Sequence, residues 1–135
     1  MGCRTAHLLL AAFGSPAALV GVDINSNPDI FRRKISDLST ALVSRLIGSE
    51  VAVNGSSFSP AISDNGRWVA FASTATNVIP GFVDSNGGVT DVFVRDMNGG
   101  VGSNQLISCK FNSAITGSNA QSTEPDIAGN PGIAS

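Results

Sequence analysis

The stretch Pro60–Phe71, PAISDNGRWVAF, decides how this chain is read. A proline opens a short segment, Pro60 to Ser63, as it does at the first residue of many strands. Asp64-Asn65-Gly66 follows, and Asn and Gly accept the positive φ of a tight turn. Arg67 to Ser73 is then an apolar run with Trp68, Val69 and Phe71, the pattern of a strand covered on both faces. The stretch reads as a β-hairpin.

Laid along the chain, the hairpin exposes copies of its surroundings. DIFRRK at Asp29 to Lys34 matches DVFVRD at Asp91 to Asp96, with Asp, Phe and Arg in register. The segment from Phe13 matches that from Phe71, and Leu42 to Ser44 matches Leu106 to Ser108. NGSSFSPAIS from Asn54 matches NAQSTEPDIA from Asn119. The offset grows from 58 residues (Phe13 to Phe71) through 62 (Asp29 to Asp91) to 65 (Asn54 to Asn119), as loop insertions produce. Three units result: residues 1–53, a degenerate and N-terminally truncated first repeat; 54–118, the second; and 119–135, the start of a third. Asp91–Arg95 and Gln105–Ser108 complete four expected strands in the second unit. Ile35 to Leu46 carries a trace of helical spacing, but the repeat register assigns it loop plus strand.

Composition agrees. Charged residues make up 13% of the 135, about half the usual share, and Tyr is missing. Gly, Ser, Asn, Ala and Val favour short strands and polar turns over helices. A formal net charge of −2 gives no electrostatic ground for nucleic acid or an anionic membrane as partner. The Arg32-Arg33-Lys34 run is too short to change that. Cys3 and Cys109 build no disulfide framework, and His7 has neither a second metal ligand nor a nucleophile beside it. Arg4 and the following HLLLAAFGSPAAL have the form of a secretory signal, yet Leu8 to Phe13 also occupy the place of Arg67 to Phe71. Residues 1–18 fit either reading.

Pro60, Ile62, Ser63, Asp64, Gly66, Arg67, Val69, Ala70 and Phe71, followed by DVFVRD, resemble the repeat of TolB-like β-propellers, the PD40 or WD40-like repeat. Asn65 is one residue more than that pattern holds. The first copy departs from the second with Arg32 for Val94 and Lys34 for Asp96, and the third shows Gly129-Asn130-Pro131 in place of Asp-Gly-Arg. The resemblance implies an all-β chain: a partial propeller of about two four-stranded antiparallel blades plus the start of a third. It also implies a periplasmic or extracellular place in bacteria. Propeller blades cannot bury their faces alone. The remaining blades are therefore expected from a longer chain, of which this is a fragment, or from other copies.

For function the leading expectation is a non-enzymatic scaffold or protein-interaction module. Its contacts would be carried by the loops Pro16–Pro28 and Thr74–Thr90. The alternative is the propeller domain of a larger hydrolase or peptidase, although Gly-x-Ser-x-Gly is not in this chain. An Asp-box reading of the opening stretch fails on spacing, and no pair of acids is singled out for glycoside hydrolysis. Asp23, Asn25 and Asp29 recur as Asp84, Asn86 and Asp91, and such oxygen donors in a Gly-containing loop suit calcium. The competing reading is that they cap turns, with Asp29 and Asp91 anchoring strand starts and pairing with Arg33 and Arg95. Trp68 and Phe71 are expected in the core. Asn54-Gly55-Ser56 fits the N-glycosylation pattern.

Overall fold

A computed structural model describes residues 10–17, 19–20, 25–47, 49, 51–84, 87–98, 104–109, 113, 116–117, 122 and 125–127. It contains seven strands: β1 Leu10–Ser15, β2 Asp29–Lys34, β3 Ser39–Leu42, β4 Ser57–Ile62, β5 Trp68–Ser73, β6 Asp91–Asp96 and β7 Asn104–Leu106. Among the described residues there is no helix. Two antiparallel sheets form, ordered β1-β2-β3 and β4-β5-β6-β7. The chain is all-β, as the sequence implied. The first sheet has three strands rather than four among the described residues.

The hairpin of β4 and β5 turns as its residues dictate. Gly66 has φ +73°, which suits glycine and strains a side chain. Ser63 locks the turn: its N–H donates to the Trp68 carbonyl at 2.9 Å, and its hydroxyl accepts from Trp68 N at 3.0 Å. Asn65 Oδ1 accepts from Arg67 N at 3.0 Å. Pro60 does not begin the strand. β4 starts at Ser57 and holds Pro60 in its interior, at a bulge between Phe58 and Ala61 where Ser59 has φ +54°. An edge strand with a bulge tolerates the missing N–H.

The two sheets repeat each other in register. Phe13 lies opposite Phe31 as Phe71 lies opposite Phe93, and Ser15 opposite Asp29 as Ser73 opposite Asp91. Their ring centroids stand 5.8 and 6.0 Å apart at nearly equal interplanar angles of 28° and 29°. Each sheet therefore has a phenylalanine face and an opposite face. The opposite face of the first sheet, with Ala12 and Ile30, packs on the phenylalanine face of the second, with Val69, Phe71, Phe93 and Leu106. Val43, Val53, Val78 and Ile79 complete this core. Phe31, Leu42 and Ala52 form a smaller cluster on the far side of the first sheet, with Phe13 at its rim.

The asymmetry between the two phenylalanine faces sets an expected outcome. Phe71 is fully buried between the sheets, whereas Phe13 is half-buried on the far side of the first sheet. Phe71→Ala should cost about 3–5 kcal/mol and Phe13→Ala clearly less. Denaturant midpoints of the two variants measure the difference; equal losses would contradict the packing order.

Candidate functional site

The paired Asp-x-Asn loops lead into β2 and β6. Asp29 and Asp91 are the first residues of these strands and both are buried. Ser44 Oγ donates to Asp29 Oδ1 at 2.5 Å and accepts from Ile30 N at 3.0 Å. Ser108 Oγ donates to Asp91 Oδ1 at 2.8 Å and accepts from Val92 N at 2.9 Å. The backbone repeats the arrangement. Val43 and Ser44 N–H both reach the Ile30 carbonyl, as Ile107 and Ser108 reach that of Val92. The same lock thus stands once in each sheet.

Asn25 Nδ2 donates to the Val53 carbonyl at 2.7 Å, and its Oδ1 accepts from Asn27 N at 2.8 Å. Its side chain staples its loop to the chain that leads into β4. Asp84 lies half-buried beside Val83, which bridges to Thr116. Asp23 and Asn86 lie outside the described residues. Among the described residues no three His, Cys, Asp or Glu side chains gather as a metal cluster would require.

The expected pairing of Asp91 with Arg95, and of Asp29 with Arg33, gives way to strand geometry. Four residues along a strand span about 13 Å, beyond the reach of a direct pair. Serine instead serves each carboxylate, and each arginine turns to the neighbouring strand. Arg33 Nη1 donates to Thr40 Oγ1 at 2.9 Å, and Arg95 Nη1 to Asn104 Oδ1 at 2.7 Å. Arg95 is 2% exposed and also reaches the Arg45 carbonyl at 3.4 Å. Burial, then the nearby Arg45 charge, pulls its pKa down to about 10 against the opposing Asp96. It remains charged at neutral pH. Asn104 holds it in place, with Nδ2 donating to the carbonyls of Arg45 at 2.8 Å and Val78 at 2.9 Å. This hub was missed in the sequence, because Asn104 carries no motif.

Phe71 is core, but Trp68 is not. Trp68 stands half-buried on the opposite face of the second sheet, with the Arg67 guanidinium 5.0 Å from its ring centroid. Arg67 also forks onto Asp96 at 2.9 and 2.8 Å. Beside Trp68 opens a groove of about 340 Å³. Ala70, Val92 and Val94 form its floor, and Ile107, Pro125 and Ile127 its walls. A second cleft, about 570 Å³, lies along β7 between Ile79, Pro80, Gln105 and Cys109. Asn54 of the glycosylation pattern is occupied: its Oδ1 accepts from Thr76 N at 2.9 Å and its Nδ2 donates to Thr76 Oγ1 at 2.8 Å.

Compared with known protein families, curated proteins and solved structures, the chain finds no match. No helix among the described residues is long and apolar enough to cross a membrane.

Ser44→Ala and Ser108→Ala should each cost about 1–3 kcal/mol, since each removes a hydrogen bond to a buried carboxylate. With Asp29 and Asp91 each accepting from a serine hydroxyl, calcium is expected to leave the melting temperature unchanged. An EDTA-reversible rise on adding calcium would assign the Asp-x-Asn loops to a cation instead.

Proposed function

We propose that this chain is a pair of TolB-like propeller blades with the start of a third, acting as a non-enzymatic scaffold for a protein partner in an exported bacterial protein. The observation that carries this reading is the repeated strand-start lock, Asp29 with Ser44 and Asp91 with Ser108. Two sheets built to one register, one stacked on the other, are the unit from which a radial array grows.

The hand-over between units repeats as well. Ser57 N donates to the Pro28 carbonyl at 2.8 Å, and Ser122 N to that of Thr90 at 2.8 Å. The third repeat thus leaves the second sheet as the second repeat leaves the first. Such a frame holds loops rather than a reacting centre. The exposed tip around Thr76, Pro80, Gly81 and Val83 is the contact surface of this reading. Its location outside the cytoplasm rests on the TolB-like pattern of Pro60–Phe71 and DVFVRD.

The test is affinity capture from periplasmic extract with the intact chain and with a Val83→Glu variant. Val83 is 49% exposed, so the variant should melt as the parent does. A partner retained by the parent and lost by the variant is the expected result. Turnover of peptide, ester or glycoside substrates by the purified chain would overturn the non-enzymatic reading.

A further inference from the structure

The groove beside Trp68 is a hollow that its own residues create. Where β5 pairs with β6, Ala70 lies opposite Val94, and Trp68 stands on the same face one alternation earlier. A methyl group next to an indole leaves depth over Ala70 and a tall wall at Trp68. Ala70, Val92 and Val94 are buried at the floor, and Ile107 and the Pro125–Ile127 segment raise the remaining walls. Every residue that bounds the hollow is a described one, so its shape is set by these side chains. At about 340 Å³ it lies at the small end of ligand cavities, which are mostly apolar with a few placed polar groups.

One carboxylate stands among these apolar side chains. Asp126 is exposed at the wall, and its Oδ1 accepts from Ile127 N at 2.8 Å, which holds the side chain to its own backbone. Trp68 adds a flat apolar surface rather than a place for charge. The Arg67 guanidinium already lies 5.0 Å from its ring centroid, and Asp96 matches that guanidinium in turn. Asp126 is thus the one charged side chain of the lining. An anionic ligand would be repelled there, and a neutral one would gain nothing from it.

We propose that this hollow binds a small amphipathic amine, with a compact apolar body on the Ala70 floor against Trp68 and its ammonium at Asp126. Burial of the body supplies most of the affinity, and the carboxylate selects the sign of the head. The site goes beyond the scaffold reading, because its residues lie outside the Thr76–Val83 tip.

Trp68 is the single tryptophan and the chain has no tyrosine, so intrinsic fluorescence reads this wall directly. Titrating the intact chain with phenethylamine should give a saturable change. Phenethyl alcohol should bind about two- to fivefold more weakly, as loss of one exposed ion pair implies, and hydrocinnamate more weakly still. Asp126→Asn should bring the amine to the affinity of the alcohol and leave the alcohol unchanged. Asp126 is exposed, so this variant should melt as the parent does. Ala70→Leu fills the hollow and should abolish all three responses; should it fail to fold, the Asp126 comparison decides alone. No saturable change with any probe, or one that survives in folded Ala70→Leu, overturns the site. Equal affinity for all three probes, or an amine unaffected by Asp126→Asn, overturns the cationic class of ligand. Neither result bears on the Val83 capture experiment, so the two readings fail separately.

Discussion

The structure hangs on a buried carboxylate at the start of an inner strand in each sheet. Asp29 and Asp91 lie out of water, where a charge without hydrogen bonds is costly. The hydroxyls of Ser44 and Ser108 meet them and also accept the next backbone N–H. One side chain therefore ties the beginning of a strand to the end of the sheet. With that tie in place, the register of β2 against β3, and of β6 against β7, follows.

Register then decides which face each residue enters, because a slip of one residue exchanges the faces. In β6 it sends Phe93 and Arg95 towards the first sheet and Val92 and Val94 towards the groove. Gly117 shows how closely the chain folds over the carboxylate. A Cβ there would stand 2.9 Å from Asp91 Oδ2, too near for an ordinary contact. Ala52 occupies the corresponding place in the first repeat, where its bridge to Arg45 matches that of Gly117 to Cys109. The lock is common to both repeats, and the backbone covering it is adjusted locally.

Much of this was legible in the residues, for a physical reason. The Asp64–Gly66 turn, the apolar run of β5 and the paired DIFRRK and DVFVRD strands depend on near neighbours, and alternation records such dependence in order. The matched Leu42–Ser44 and Leu106–Ser108 already held the serines of the lock. Their role was hidden, because a hydroxyl meets its carboxylate across 15 or 17 residues of chain. Pro60 misled by the general habit of proline: the bulge at Ser59 lets it sit inside β4. Trp68 misled by its apolar company, since alternation turns it away from Phe71 and towards the groove.

Arg95 shows what the stacking of sheets demands. A charged guanidinium enclosed between apolar layers gives up more hydration than neutral acceptors return, and its Nε has no hydrogen-bond partner. It therefore contributes little as a source of stability. Its acceptors, however, are specific. Asn104 lies across the strand, and the Arg45 carbonyl belongs to the other repeat. Asn104 binds that same carbonyl and the Val78 carbonyl in the loop after β5. A sheet slid or rotated from this place would leave a buried charge with fewer partners, whereas Phe71 and Val69 would still find apolar contacts. Apolar packing makes the two sheets adhere. The arginine selects one alignment, and that alignment leaves the Trp68 face directed away from the first sheet.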